Sequence, residues 1–158
     1  MRVAIITISD SVSAGKTSDR SGPSVRARCR ELHWEIAAEA VVPDDEPAIR
    51  ERLVTLADSD AADLIFTTGG TGIGPRDVTP EVTSAVCSRL LPGFAEHMRL
   101  EGMKANPRAI LSRAVCGVRS KALIINLPGS PRGAVESLNA LADLLPHASA
   151  VLHGARHD

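Results

Sequence analysis

DLIFTTGGTGIGPRDVTPEVTSAV, residues 63–86, reads as a strand, a glycine-rich loop and a helix in direct succession. Asp63–Thr68 is a short apolar run of the kind found in buried strands. It passes straight into Gly69-Gly70-Thr71-Gly72-Ile73-Gly74, and Thr79-Pro80-Glu81 then opens a helix, with Thr79 as the expected cap and Pro80 in the first turn. In open parallel sheets ligands sit beyond the carboxyl ends of strands, and this loop leaves such an end. Glycines let backbone N–H groups converge on an anion, and the following helix adds the positive end of its dipole. A tight turn needs glycine only for its φ angles. Four glycines within six residues exceed that requirement, so the segment Thr67–Asp77 is expected to bind phosphates of a small molecule. Neither familiar nucleotide motif fits. A Walker A loop would continue with Lys and Ser or Thr, whereas Gly74 is followed by Pro75-Arg76-Asp77. A dinucleotide fingerprint would follow the first strand and close on a third glycine, where Pro75 stands.

Outward from this loop, strand and helix patterns alternate. Arg2–Ser9 reads as a buried strand, residues 10–22 as a loop, and a helix runs from Pro23 to about Leu32. Trp34–Val42 reads as a second strand ending at Pro43-Asp44-Asp45, and Ile49, Leu53, Leu56 and Ala57 mark an amphipathic helix over 46–59. Beyond the loop, Pro92-Gly93 is read as a break before a helix over Phe94–Lys104. Val115–Val118 and Ala122–Leu127 read as strands around an Arg119-Ser120-Lys121 turn. Pro128–Pro131 makes a second sharp loop before a helix over Gly133–Leu145, and Pro146 interrupts before a last short helix. Such alternation implies βαβ units, a mostly parallel central sheet and a three-layer α/β/α sandwich. No repeat or linker divides the 158 residues, so residues 1–158 are expected to form one domain.

Composition narrows the function. A formal net charge of −1 gives no global field for nucleic acid or an anionic membrane, and 2% aromatic residues leave few stacking platforms. Neither partner is expected. Cys29, Cys87 and Cys116 are too sparse for a disulfide framework and read as core fillers in a reducing compartment. The five histidines are scattered and no HExxH motif occurs, so a structural zinc site is not expected. The apolar N-terminal run is too short for a signal peptide or a membrane span, which makes the cytoplasm the expected location.

Asp44 and Asp77 both fall where a strand gives way to a helix, at the same end of a parallel sheet. Paired carboxylates beside a phosphate loop suit Mg²⁺, which binds through one or two carboxylates plus substrate phosphates. Two plainer readings stand beside this one: Asp44 as a helix cap, a role Asp45 could fill instead, and Asp77 as a loop ion-pair partner of Arg76. Asn126-Leu127-Pro128-Gly129-Ser130-Pro131 is a second rigid polar loop that could wall the same pocket or be a simple turn. Arg26, Arg28 and Arg30 read as a solvated helix surface.

Thr67-Thr68-Gly69-Gly70-Thr71-Gly72 followed by Pro75-Arg76-Asp77-Val78-Thr79-Pro80-Glu81 resembles the signature of the MogA/MoaB family of molybdenum-cofactor biosynthesis. Ile8-Ser9-Asp10-Ser11, Asp19-Arg20-Ser21-Gly22, Val42-Pro43-Asp44, Leu111-Ser112-Arg113, Ile125-Asn126-Leu127-Pro128-Gly129-Ser130 and Leu145-Pro146-His147-Ala148 extend the likeness over nearly the whole chain. It is similar in particular to the branch containing the gephyrin G domain. The resemblance implies a molybdopterin adenylyltransferase acting on ATP and molybdopterin with Mg²⁺. Asp44 and Asp77 would then be the catalytic acids and Mg²⁺ ligands. Ser9, Asp10, Gly69, Gly70, Thr71, Gly72, Ser112, Asn126, Pro128, Gly129 and Ser130 would bind nucleotide or pterin. It further implies a homo-oligomer, most often a trimer, that passes its product to a MoeA-type molybdate-inserting enzyme. Ser11 departs from the Arg of many bacterial relatives, which leaves that side chain without an assigned role. A stand-alone enzyme without a C-terminal extension is expected. The alternatives are a MoaB-type paralogue without adenylyltransferase activity and a non-catalytic molybdopterin-binding scaffold.

Overall fold

A computed structural model describes residues 1–155. Its centre is a six-stranded sheet in the order β2-β1-β3-β6-β5-β4. The strands are β1 (Arg2–Ile8), β2 (Glu35–Val42), β3 (Leu64–Thr68), β4 (Arg89–Leu90), β5 (Cys116–Arg119) and β6 (Ala122–Leu127). β1 pairs in parallel with β2 and β3, and β3 with β6, while β5 runs antiparallel to both β4 and β6.

The central strands are apolar on both faces, and this requires helices above and below. Val3, Ile5, Leu64, Phe66, Leu123 and Ile125 face one layer, where they meet Val25 and Cys29 of α2 (Ser21–Glu31) and Met98 of α5 (Pro92–Ala105). Leu138 of α6 (Pro131–Leu141) and Leu145 of α7 (Leu145–Leu152) complete that layer. Ala4, Ile6, Ile65 and Ile124 face the other, against Ile49 and Leu53 of α3 (Glu46–Asp58) and Val82 and Val86 of α4 (Thr79–Val86). The three-layer α/β/α architecture with a mostly parallel sheet is therefore as expected. Trp34, just before β2, stacks on Phe66 with ring centroids 6.4 Å apart and planes 12° from parallel. Among the described residues no helix is long and apolar enough to cross a membrane.

Several boundaries differ from the sequence expectation. The 10–22 segment contains a one-turn helix, α1 (Asp10–Ser13), capped by Ser9 Oγ, which accepts from Val12 N at 3.3 Å. α2 begins at Ser21, two residues before Pro23. Thr79 is not the cap of α4. It lies fully buried in the first turn, and its hydroxyl donates to Gly69 O at 3.1 Å, sewing the helix to the loop before it. Pro92 starts α5 rather than breaking the chain, because a proline in the first turn sacrifices no helical bond. α6 begins at Pro131 with Ser130 as its cap and ends at Leu141. The two-residue strand β4 and a 3-10 turn at Pro107–Leu111 are too short to leave a periodic signal.

Candidate active site

The parallel strands β1, β2, β3 and β6 all end on one side of the sheet, so the segments leaving them converge. Ser9 follows β1, Asp44 follows β2, Gly69–Asp77 follows β3 and Gly129 follows β6. These segments surround a cleft of about 450 Å³ lined by Ser9, Asp44, Gly69, Gly70, Asp77 and Gly129. Two glycines are sterically obligatory. Gly69 has φ +104°, and a Cβ there would collide with the Ile8 carbonyl oxygen of the neighbouring strand end. Gly70 has φ +65°, with Asp44 Oδ1 3.0 Å from where its Cβ would be. The loop thus approaches the end of β1 and the Thr79 hydroxyl more closely than a side chain would allow, and lies tight against Asp44.

Asp44 and its neighbour Asp45 divide the two roles between them. Asp45 Oδ2 accepts from Ala48 N at 3.2 Å and caps α3. Asp44 Oδ2 accepts from Asp10 N at 2.9 Å, and Asp10 Oδ1 accepts in return from Asp44 N at 3.0 Å. This reciprocal pair braces the ends of β1 and β2. Arg76 closes on Asp10 bidentately, with Nε to Oδ2 and Nη2 to Oδ1 both at 3.0 Å. The ion pair of Arg76 is therefore with Asp10 and not with Asp77. Asp77 Oδ2 instead accepts from Gly74 N at 2.8 Å, inside its own loop.

The electrostatics follow from these contacts. Burial pushes the Asp44 pKa up, and the nearby Asp10 and Asp77 charges add to the rise, against the Asp10 N–H and Arg76. The Arg76 guanidinium holds the Asp10 carboxyl below its ordinary range. Asp44 Oδ1 and Asp77 Oδ1 accept no hydrogen bond among the described residues. No group of three or more His, Cys, Asp or Glu side chains that could hold a metal ion exists among those residues. Two spare carboxylate oxygens are too few for an all-protein cation cage, and they fit Mg²⁺ completed by phosphate oxygens and water.

The other sequence-derived candidates are distributed unequally. Asn126 does not wall the cleft. It is fully buried in β6, where Oδ1 accepts from Val115 N at 3.1 Å and Nδ2 donates to Thr67 Oγ1 at 3.0 Å and Thr83 Oγ1 at 2.9 Å. All its polar capacity in that position goes to joining strands and α4. Ser112 lies outside the cleft, in a hollow of about 350 Å³ that it shares with Arg99 and Ala114. Pro128 meets Ser112 across a smaller void, and Ser130 caps α6. Thr71, Gly72 and Asp10 support the cleft without lining it.

Thr7, Asp19 and Ser21, not singled out as site candidates from sequence, complete the wall together with Thr68 of the Thr67–Asp77 segment. Thr7 Oγ1 donates to Asp19 Oδ2 at 2.6 Å, Gly22 N donates to Asp19 Oδ1 at 3.0 Å, and Ser21 and Thr68 share a short hydroxyl–hydroxyl bond. The available signal was a hydroxyl at the carboxyl end of an otherwise apolar strand, present in both Thr7 and Thr68. The three thiols take no part: burial pushes Cys29 and Cys116 up to about 12 and Cys87 to about 11.

A family model described as "Probable molybdopterin binding domain" matches residues 4–147. The molybdopterin adenylyltransferase of Helicobacter pylori strain J99 is 40% identical over 154 residues, covering 93% of this chain and 85% of that protein. The molybdopterin biosynthesis enzyme MoaB of Thermus thermophilus superposes with a TM-score of 0.92 at 46% identity, covering 99% of each chain. A MogA structure superposes with a TM-score of 0.90 at 39% identity, covering 96% of this chain and 99% of that one.

Proposed function

The chain belongs to the molybdopterin-binding domain family of molybdenum-cofactor biosynthesis, and we propose on that premise that it is a molybdopterin adenylyltransferase, joining AMP from ATP to molybdopterin and releasing pyrophosphate. The observation that carries the mechanism is the convergence of Asp44, Asp77 and the Gly69-Gly70 backbone on one cleft.

In this reaction a terminal phosphate oxygen of molybdopterin attacks the α-phosphorus of ATP. The bond from that phosphorus to the oxygen bridging to the β-phosphate breaks, and its electron pair departs with pyrophosphate. The nucleophile is already an anion, so no side chain has to take a proton from it. Alignment and charge neutralisation are what remain for the protein to supply. The Gly70 N–H and the Ser18 hydroxyl, neither of which donates to a partner among the described residues, are available to a phosphate oxygen. Mg²⁺, held by Asp44 and Asp77, would neutralise charge on the triphosphate. Burial, with the Asp10 and Asp77 charges added, raises the Asp44 pKa, as suits a carboxylate whose charge a cation would offset. The same reading includes a trimer in the cytoplasm that passes its product to a MoeA-type molybdate-inserting enzyme.

The test is product analysis. Purified protein is expected to consume ATP only when molybdopterin is present and to release pyrophosphate. Molybdopterin-independent orthophosphate would indicate an ATPase and overturn the assignment. The 46% identity to a structure named MoaB favours one second reading, a paralogue that binds molybdopterin without adenylylating it. Binding of molybdopterin with no pyrophosphate release would select that reading.

A further inference from the structure

Arg113 follows the 3-10 turn and belongs to Leu111-Ser112-Arg113, yet it does not line the cleft. Its bonds all run to the glycine loop and the helix behind it. The Arg113 backbone N–H donates to Thr71 O at 2.9 Å, Nε to Gly72 O at 2.6 Å and Nη2 to Asp77 O at 2.8 Å. Nη1 pairs with the Glu81 carboxylate in the first turn of α4 and holds that carboxyl below its ordinary range. Among the described residues no other side chain bonds both Gly72 and Asp77, the two shoulders of the loop.

Peptide geometry makes this clamp directional. In a planar trans peptide the N–H points opposite to the preceding carbonyl. Drawing the carbonyls of Thr71, Gly72 and Asp77 onto Arg113 therefore turns the N–H groups of Gly72, Ile73 and Val78 away from it. None of those three N–H groups donates to a partner among the described residues. The rigid fork of a guanidinium can reach several acceptors at once, whereas a lysine ammonium is a single point on a flexible stem.

The geometry points to Arg113 as a positioning residue for adenylyl transfer: it holds the Gly72–Asp77 loop so that its amides stay free to donate to phosphate and the Asp77 carboxylate is fixed at the cleft wall before substrate arrives. This rests on the proposed reaction and assigns Arg113 no contact with substrate. Preorganised donors act on the transition state, so their loss falls on turnover more than on ground-state binding.

The experiment compares wild type with Arg113→Lys and Arg113→Met by amide hydrogen exchange, single-turnover adenylylation and thermal melting. Arg113→Lys retains a charge for Glu81 and is expected to melt close to wild type. In both variants the bonded amides of Gly74, Asp77 and Thr79 should exchange about tenfold faster or more, with those of β3 and β6 unchanged. The single-turnover rate should fall about thirtyfold or more, with KM for ATP changing far less, and lysine should not rescue it. A stably folded Arg113→Lys protein with wild-type exchange at these amides, or with a wild-type single-turnover rate, overturns the proposal. Should the wild type release no pyrophosphate, the reaction assigned above fails by itself. Exchange at Gly74, Asp77 and Thr79 then decides whether Arg113 presets the loop, faster exchange supporting that hold and unchanged exchange removing it.

Discussion

At Asp44 a half-buried carboxylate faces two further aspartates, and both burial and this crowding raise its pKa. A raised carboxylate pKa means that ionising Asp44 costs the folded state stability, a cost that appears as pH rises through the folded pKa. Asn would keep an oxygen for the Asp10 N–H while removing the charge. Asp44→Asn is therefore expected to melt no lower than wild type at neutral pH, yet to lose about a hundredfold or more in single-turnover adenylylation, the scale for deleting one preorganised electrostatic group. Asp77→Asn should show the same loss of turnover. Unchanged rates in stably folded variants would remove both residues from the catalytic list. The acid limb of kcat/KM should lie above the ordinary aspartate range, because Asp44 must be ionised to act. It should move higher still in Arg76→Gln, which removes a positive charge that favours the Asp44 carboxylate; a pH–rate profile checks both. At this scale sequence alone had a definite limit. Asp44 and Asp45 are adjacent, identical and equally able to cap, and only the backbone turn after Val42 separates them. Asn126 was grouped with the loop after it, because a turn-rich neighbourhood hid the fact that its own position is an inward site on a buried strand.

Helix ends show the complementary pattern of what a sequence reveals. The prolines at 47, 80, 92, 131 and 146 each sit in the first turn of a helix, yet Pro92 and Pro146 read as interruptions from sequence. A first-turn proline and a helix-breaking proline look alike until the preceding backbone is known. The capping of α3 by Asp45 gives a contrast to the proposed catalytic pair. Asp45→Ala is expected to cost about 1 kcal/mol, the usual worth of a cap. That corresponds to a fall in Tm of about 2–4 °C for a chain of this size. Turnover of the folded protein should be unchanged, so melting and single-turnover rate together separate Asp45 from Asp44. A lower rate with an unchanged Tm would mean that the two neighbours had been assigned the wrong way round.

Across the whole molecule the three layers were legible because Val3–Ile6, Leu64–Phe66 and Leu123–Ile125 are apolar on both faces, which a one-sided sheet could not tolerate. The strand order was not legible: β4 is two residues long and leaves no periodic signal, although the short turn at Arg119-Ser120-Lys121 already requires β5 and β6 to run antiparallel. Assembly is likewise a property of surfaces that no periodicity marks. A trimer is the expected state, to be checked by light scattering at micromolar concentration. A monomer would count against it, and a hexamer would favour the MoaB-type reading. The aromatic stack inside the first layer has a practical consequence for all such measurements. The chain has one tryptophan and no tyrosine, so its long-wavelength ultraviolet emission comes from Trp34 alone. That indole is nearly buried against Phe66 and does not line the cleft. Its fluorescence should shift to the red when the layers separate and stay constant as ligands bind, making it a built-in optical gauge of folding that is blind to occupancy.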